Sequence, residues 1–266
     1  MMLPITILVT IATAYILYNL RSLLHHPEIR YLTIETDAEK ILFVSDLHIS
    51  TNLERDRELN VIGEFMRKNN FTLLFILGDL FDDFHIQVPL NEIEKEMKKV
   101  VDFLNLPRDT IVYVTFSNSS HDPIIENKTT IKIAYRGIKI IVTNKPLQLN
   151  VDNMRIYLLH GDLGVKNGAL AYLINKIAQL LGHPYLVERL VKHHLLRIAD
   201  EYWLIMGHTH TPFISSELKI ANTGSWKRYW RNNSNTVIVY NRGELSLINL
   251  GNIMGIGYGS GLEKTS

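Results

Sequence analysis

From Tyr31 onward short apolar runs alternate with longer amphipathic stretches, and that alternation predicts an α/β domain. Tyr31–Glu35, Ile41–Ser45, Phe71–Leu77, Ile111–Phe116, Lys139–Thr143, Arg155–Leu159 and Tyr202–Met206 read as strands. Leu53–Asn69 reads as a helix, with Leu59, Ile62, Phe65 and Met66 at spacings of three and four. Leu90–Leu104 repeats the pattern with Ile93, Met97, Val100, Val101 and Leu104 inward, and its Glu and Lys residues form a solvated face. Ala169–Leu181 and Pro184–Ala199 are expected to be helical. Leu218–Ala221, Thr236–Tyr240 and Glu244–Leu250 then read as a meander of short strands, with Asn241-Arg242-Gly243 as turn chemistry.

The N-terminal pattern is different. Leu3–Leu20 carries no charge and reaches the lower range of about 17–25 residues for a membrane-spanning helix. Pro4 falls in the first turn, where proline is tolerated. No basic n-region precedes Leu3, although Ala12-Thr13-Ala14 resembles a signal-peptidase site, and a buried core helix is the third reading. Arg21 and Arg30 flank the segment on its C-terminal side, with His25 and His26 between them, which places the following domain in the cytoplasm. The expected organisation is a membrane anchor and juxtamembrane segment over 1–30, a domain over 31–250, and a glycine-rich tail over 251–266.

Composition narrows the chemistry. The formal net charge of +1 supplies no basic field for nucleic acid. The absence of cysteine excludes disulfides, thiolate metal sites and cysteine nucleophiles, whereas 11 histidines remain available as ligands.

Several of those histidines recur at strand ends. FVSDLH, FILGDLFDD, VTFSNSSHD, YLLHGD and LIMGHTH each put Asp, Asn or His just beyond an apolar run, where open α/β sheets carry their ligand crevice. The candidates are Asp46, His48, Asp79, Asn118, His121, His160, His208 and His210. Asp46 and His48, two residues apart, are expected to project from one face of a strand end. Oxygen and imidazole donors without sulfur suit Mn, Fe or Zn, with manganese the first choice. The donors are too numerous for one ion with an open position and suit two. Two such ions activate a bridging hydroxide and clamp the oxygens of a displacement at phosphorus, and Asp79 is the natural shared carboxylate.

The ordered set Asp46-x-His48, Gly78-Asp79, Asn118 with His121-Asp122, His160-Gly161-Asp162 and Gly207-His208-Thr209-His210 resembles the calcineurin-like metallophosphoesterases. The resemblance runs from about Ile41 to Trp226. It implies a four-layer sandwich, two mixed β-sheets packed together and flanked by helices, with a dinuclear site at one edge. It also implies that Asp46, His48 and His210 hold one metal, that Asn118, His160 and His208 hold the other, and that Asp79 bridges. His121 matches the family histidine beside the bound phosphate, which helps the leaving oxygen depart. Where the family usually has adjacent Asn and His, this chain reads Ser117-Asn118-Ser119-Ser120-His121. Asn118 is the preferred ligand because an amide oxygen fits the donor set, and Ser120 is the alternative.

Asp82, Asp83, Asp122 and Asp162 are expected to orient ligands or cap turns. Asn222-Thr223-Gly224-Ser225-Trp226 is either a tight turn or a support for the site. The helical insert after Asp162 carries many Leu and Ile residues together with Lys166, Lys176, Arg189, Lys192 and Arg197, which fits a lid over an amphiphilic phosphate ester. Its position after His-Gly-Asp is similar to that in the lipid-A pathway pyrophosphatases that cleave UDP-diacylglucosamine. Trp226-Lys227-Arg228-Tyr229-Trp230-Arg231 can meet lipid headgroups, stack on bases, or simply anchor a loop. The expected activity is hydrolysis of a phosphoester or pyrophosphate bond in a small or lipid-linked substrate. The alternatives are a non-catalytic scaffold that keeps the fold, and a phosphodiesterase acting on nucleotides or nucleic acid.

Overall fold

The structure, a computed structural model, describes residues 2–25, 27–50, 59–82, 87–119, 121–125, 130–227 and 234–253. Helix α1 (Met2–His25) precedes β1 (Leu32–Thr36), β2 (Lys40–Val44), α2 (Val61–Asn69), β3 (Leu73–Leu77), α3 (Leu90–Leu104) and β4 (Ile111–Thr115). Next come β5 (Ile131–Tyr135), β6 (Ile138–Thr143), β7 (Leu147–Val151), β8 (Met154–Leu158), α4 (Gly168–Leu180), α5 (Leu186–Arg189) and a π-helical turn (Leu190–Leu195). The chain continues through β9 (Trp203–Met206), β10 (Phe213–Ser215), β11 (Ile220–Asn222), β12 (Thr236–Asn241) and β13 (Glu244–Asn249) to α6 (Leu250–Ile253).

The central strands are buried on both faces, so each face needs a covering layer. Leu42, Val44, Leu74 and Ile76 pack on Ile62 and Met66 of α2 and on Ile93, Met97 and Leu104 of α3. Their neighbours along the strands, Ile41, Phe43, Phe75 and Leu77, turn the other way onto Leu149, Ile156, Leu158 and Ile205 of the second sheet. That second sheet is covered in turn by Val191 and Ile198 of the insert, packed on Leu204 and Met206. The layers are therefore helix, seven-stranded sheet, six-stranded sheet, helix. Both α2 and α3 end on asparagines in the left-handed region, Asn70 and Asn105, whose amides bond back to the last turn.

Strand order places the site. The seven-stranded sheet runs β13-β12-β2-β3-β4-β6-β5 and the six-stranded sheet β1-β7-β8-β9-β11-β10. β2, β3 and β4 are parallel neighbours in one, and β8 and β9 are parallel neighbours in the other. The carboxyl ends of these strands lie at one edge of the sandwich.

Three strands went unanticipated. β5 pairs with β6 as a hairpin through Arg136 and Gly137, both at positive φ. β7 alternates Leu147, Leu149 and Val151 with Gln148 and Asn150, a period-two signal short enough to be read as loop. β10 spans only Phe213–Ser215. The helix expected over Pro184–Ala199 is instead short α5 followed by the π-helical turn. Of the helix expected from Leu53, the described part starts at Val61, and residues 53–58 lie outside the described residues. Ser120, Asp83, the tail beyond 253 and positions 228–231 of the basic-aromatic segment also lie outside them, while Trp226 packs in the core.

Helix α1 contains a segment, Ile7–His25, long and apolar enough to cross a membrane. Ile7, Leu8, Val9, Ile11, Ile16 and Leu17 are exposed. Its last turns dock on the domain: Asn19 and Leu23 are buried, Lys166 N–H donates to the Asn19 carbonyl at 3.0 Å, and His194 Nε2 lies 3.0 Å from the Leu23 carbonyl.

Candidate metal centre

Asp46 and His48 do not project from a strand face, because β2 ends at Val44. Both residues adopt left-handed backbone, with φ of 51° and 48°. Asp79 (47°), His208 (69°) and His210 (53°) do the same. Left-handed backbone costs a non-glycine residue about 1 kcal/mol or more, so these loops must be held by their surroundings. The β2–β3 ladder continues into these loops and fixes them: Asp46 N–H donates to Gly78 O and His48 N–H to Asp79 O, each at 3.0 Å. Gly78 sits at φ 74°, and a Cβ there would come within 2.6 Å of the His160 Cβ. Gly207 is packed against Ser45 and Asp46, where any Cβ would overlap.

The side chains converge in three overlapping groups: Asp46, His48 and His210; His48, Asp79 and His121; and Asp79, His160 and His208. Within each, one donor atom per residue lies within 4.8 Å of the others. His210 Nε2 stands 2.9 Å from Asp46 Oδ1, and His160 Nε2 stands 3.3 Å from Asp79 Oδ2. His48 Nε2 lies 4.0 Å from Asp46 Oδ1 and 3.9 Å from Asp79 Oδ2, between the two carboxylates.

The tautomers show that this donor set fits cations. His160 Nδ1 faces the Leu77 carbonyl at 3.0 Å, and His208 Nε2 faces the Val165 carbonyl at 2.6 Å. A carbonyl only accepts, so those nitrogens carry the hydrogens. His160 Nε2 and His208 Nδ1 then face each other at 3.1 Å, lone pair to lone pair when both rings are neutral, with the Asp79 carboxylate beside them. Two buried lone pairs so placed need a proton or a metal ion. Burial opposes charge on His160, but Asp79 and Asp46 outweigh it and hold its pKa well above the ordinary value. Burial and the neighbouring His160 charge push His208 down to about 4. Asp46 and Asp79 are buried yet held below the usual carboxylate range, to about 2 for Asp46, by the surrounding histidines.

Other residues brace this cluster. The buried Asp122 carboxylate accepts from Asp79 N–H (2.8 Å), Leu80 N–H (2.9 Å), Phe81 N–H (3.3 Å) and Ser117 N–H (2.8 Å), tying the loops after β3 and β4 together. Burial, reinforced by the Asp79 charge, raises its pKa to about 7, against the pull of those amides. Asp162 accepts from Asn118 N–H at 2.7 Å. Asp82 lies 3.6 Å from His48 Nδ1 and pairs with Lys227. Asn222 donates to the Gly207 carbonyl at 2.7 Å and Trp226 N–H donates to the Asp46 carbonyl at 3.0 Å, so the Asn222–Trp226 segment supports the site backbone.

Asn118 is exposed at the cavity wall, while Ser117 and Ser119 hydroxyls donate to Asp79 Oδ1 at 2.7 and 2.6 Å. Sequence reading passed over both serines, because a hydroxyl next to a ligand has no distinctive spacing. It also passed over Glu188. This fully buried carboxylate of α5 accepts from Thr209 Oγ1 (2.5 Å), Asn175 Nδ2 (2.8 Å) and Asn222 Nδ2 (3.2 Å), clamping the insert to the loop between His208 and His210. Lys192, one of the cations of the insert expected to form a lid, is buried, donating to the Leu218 carbonyl at 2.7 Å and the Asp200 carbonyl at 3.3 Å.

The centre opens into a cavity of about 750 Å³. His48, Asp79, His121, His208 and His210 form its floor. Lys166, Tyr172 and Lys176 of the insert form one wall, and Tyr15, Tyr18 and Asn19 of α1 form another. His121 Nδ1 lies 3.2 Å from the Asp82 carbonyl, and its ring meets that of His48 edge-on at 4.8 Å.

A family model described as calcineurin-like phosphoesterase matches residues 39–248. The chain is 29% identical over 124 residues to a UDP-2,3-diacylglucosamine hydrolase of Wigglesworthia glossinidia brevipalpis. That match spans 46% of this chain and 46% of the relative, so rather less than half of that protein is represented. Among solved structures, the phosphoesterase Yfce from E. coli is similar, at 20% identity and a TM-score of 0.40, covering 80% of this chain and 94% of that one.

Proposed function

The chain belongs to the calcineurin-like phosphoesterase family and is a phosphoester hydrolase, and from that premise we propose that it cleaves a phosphodiester or pyrophosphate bond in a membrane-borne amphiphile. The observation that carries this reading is the shared cavity. Its floor is the Asp and His cluster, and one wall is the helix apolar enough to span a bilayer. A substrate whose phosphate reaches that floor passes beside Tyr15 and Tyr18. Tyrosines at the end of an apolar helix sit at headgroup depth. The relative named for a diacylglucosamine substrate supports the same class. In this reading residues 1–30 are the anchor, 31–250 the hydrolase with its helical insert, and 251–266 a tail, with the hydrolase on the cytoplasmic side.

Asp46, His48 and His210 are assigned to one metal, His160, His208 and Asn118 to the other, with Asp79 between them. Two divalent ions, manganese by preference, supply an activated water and positive charge for displacement at phosphorus when bound. The protein contributes geometry and protons. Asp122 and the two serines hold Asp79, and Glu188 holds Thr209 and with it the orientation of His208 and His210. His121, on the cavity floor beside His48, protonates the leaving oxygen in this reading. Lys166 and Lys176 are placed to bind the charge of the departing group.

Turnover should appear with Mn²⁺, vanish with chelator, and be faster on UDP-diacylglucosamine in mixed micelles than on soluble UDP-glucose. Equal rates on the two pyrophosphates, beside good turnover of a chromogenic diester, would count against the amphiphile. Asn118→Ala is expected to lower the occupancy of one metal and most of the activity. Two metals per chain by elemental analysis, with full turnover, would remove Asn118 from the ligand set.

A further inference from the structure

Helix α4 presents three faces, as its rotation of about 100° per residue requires. Ala171, Asn175 and Ala178 are buried in the insert. Ala169, Tyr172 and Lys176 line the cavity. On the side opposite the buried face lie Leu173 (52% exposed), Ile177 (51%), Leu180 (87%) and Leu181 (71%), four aliphatic side chains in one stripe. An outward face of this kind normally carries charge, and the only Asp, Glu, Lys or Arg on α4 is Lys176, which lines the cavity.

We propose that this stripe rests in the surface of the lipid bilayer, as a second membrane contact beside α1, so that the cavity mouth opens between two lipid-facing helices. The inference rests on α1 being the membrane anchor. Its occupant is a bilayer because the stripe and the exposed apolar side of α1 flank one cavity. The cavity wall formed by α1 faces the cavity wall formed by α4, and both helices turn aliphatic side chains outward, Ile11, Ile16 and Leu17 on the one and Leu173, Ile177 and Leu180 on the other. A bilayer that takes up the first helix at Tyr15 and Tyr18 lies beside the second, because both helices line one cavity.

The charges between them suit that depth. Arg21 lies over the Tyr18 ring at 5.1 Å, Lys166 over the same ring at 4.7 Å, and Lys176 over Tyr172 at 5.4 Å. This belt of aromatic rings and cations matches the phosphate level of a membrane, with the aliphatic stripe positioned to reach past it. The helix would then lie along the interface with its apolar side down, in the manner of an amphipathic interfacial helix. Phosphate linkages held at headgroup level reach the cavity floor without leaving the membrane.

The cysteine-free chain makes the test direct, since a single introduced thiol is the only labelling site. Full-length Leu173→Cys, Ile177→Cys, Leu180→Cys, Ile11→Cys and Glu201→Cys variants carry a nitroxide and are reconstituted in phosphatidylcholine–phosphatidylglycerol vesicles. The three α4 labels are expected to collide more with oxygen than with a nickel chelate, like Ile11 and unlike Glu201. Water-type collision at α4 with lipid-type collision at Ile11 would overturn the docking surface while leaving the anchor in place. Water-type collision at Ile11 as well would remove both. Spin–spin broadening at α4, with neither reagent reaching the label, would replace the bilayer by a second copy of the chain.

Discussion

Asp79→Asn is expected to lower turnover on the order of 1,000-fold or more, well beyond the roughly 10–100-fold typical of losing a partner one step removed from a metal. Among the described residues, Asp79 is the carboxylate shared by the His48–His121 group and the His160–His208 group. Its Oδ2 lies 3.3 Å from His160 Nε2 and 3.9 Å from His48 Nε2, and its Oδ1 accepts from Ser117 and Ser119. An asparagine keeps the size and loses the charge that binds a cation. It also offers an NH₂ group to hydrogens or imidazole nitrogens that expect an oxygen. The measurements are steady-state kinetics on a chromogenic diester across a manganese titration, with metal content by elemental analysis and circular dichroism to show a retained fold. Undiminished turnover at saturating manganese would refute the bridging role of Asp79.

Asp122→Ala should be the most destabilising single change near the site, by about 3 kcal/mol or more. Four backbone N–H groups, from Asp79, Leu80, Phe81 and Ser117, share this one carboxylate. A buried amide left without its acceptor costs roughly 1–3 kcal/mol, and partial relaxation of the loops keeps the total below the sum. Asp122→Asn is not expected to rescue, since its NH₂ would point at donors. That failure separates a hydrogen-bonding role from simple filling of space. Urea denaturation of both variants reads the effect, and a loss under about 1 kcal/mol for the alanine would show that the loops hold themselves. Activity should fall with stability, because the same amides set the directions of Asp79 and Ser117.

The lamination was legible where the signal was long and periodic. Helix α3 was read to its ends because Ile93, Met97, Val100, Val101 and Leu104 repeat at helical spacing over many turns. The doubly buried strands β2, β3 and β9 were legible as unbroken apolar runs. Strands β7 and β10 are short, and a short alternation between turn residues differs little from loop. The π-helical turn after α5 was not legible at all. There Lys192 is buried, with its ammonium on carbonyls of residues distant in the chain.

The candidate ligands were legible as residue types in order, and Asp46-x-His48 shows why that falls short of a site. The expectation of two side chains on one strand face has the wrong geometry, since β2 ends at Val44. They meet because the chain turns left-handed at both residues beyond the end of β2, a conformation stabilised by the continuing ladder to Gly78 and Asp79.

What the residues in their order were enough to establish is the class of chemistry: carboxylates and imidazoles without thiols at successive strand ends, on an α/β framework preceded by the apolar Leu3–Leu20 segment. Their types and periodicities are local properties, written in a few neighbouring positions. The pairing of His160 with His208, the fourfold grip of Asp122, the reach of Glu188 from the insert to Thr209, and the wall that α1 lends to the cavity were decided only by the tertiary structure. Each of these contacts joins residues far apart in the chain. Their distances depend on how two twisted sheets and an insert pack, and packing is a property of the whole core that no short stretch of sequence encodes.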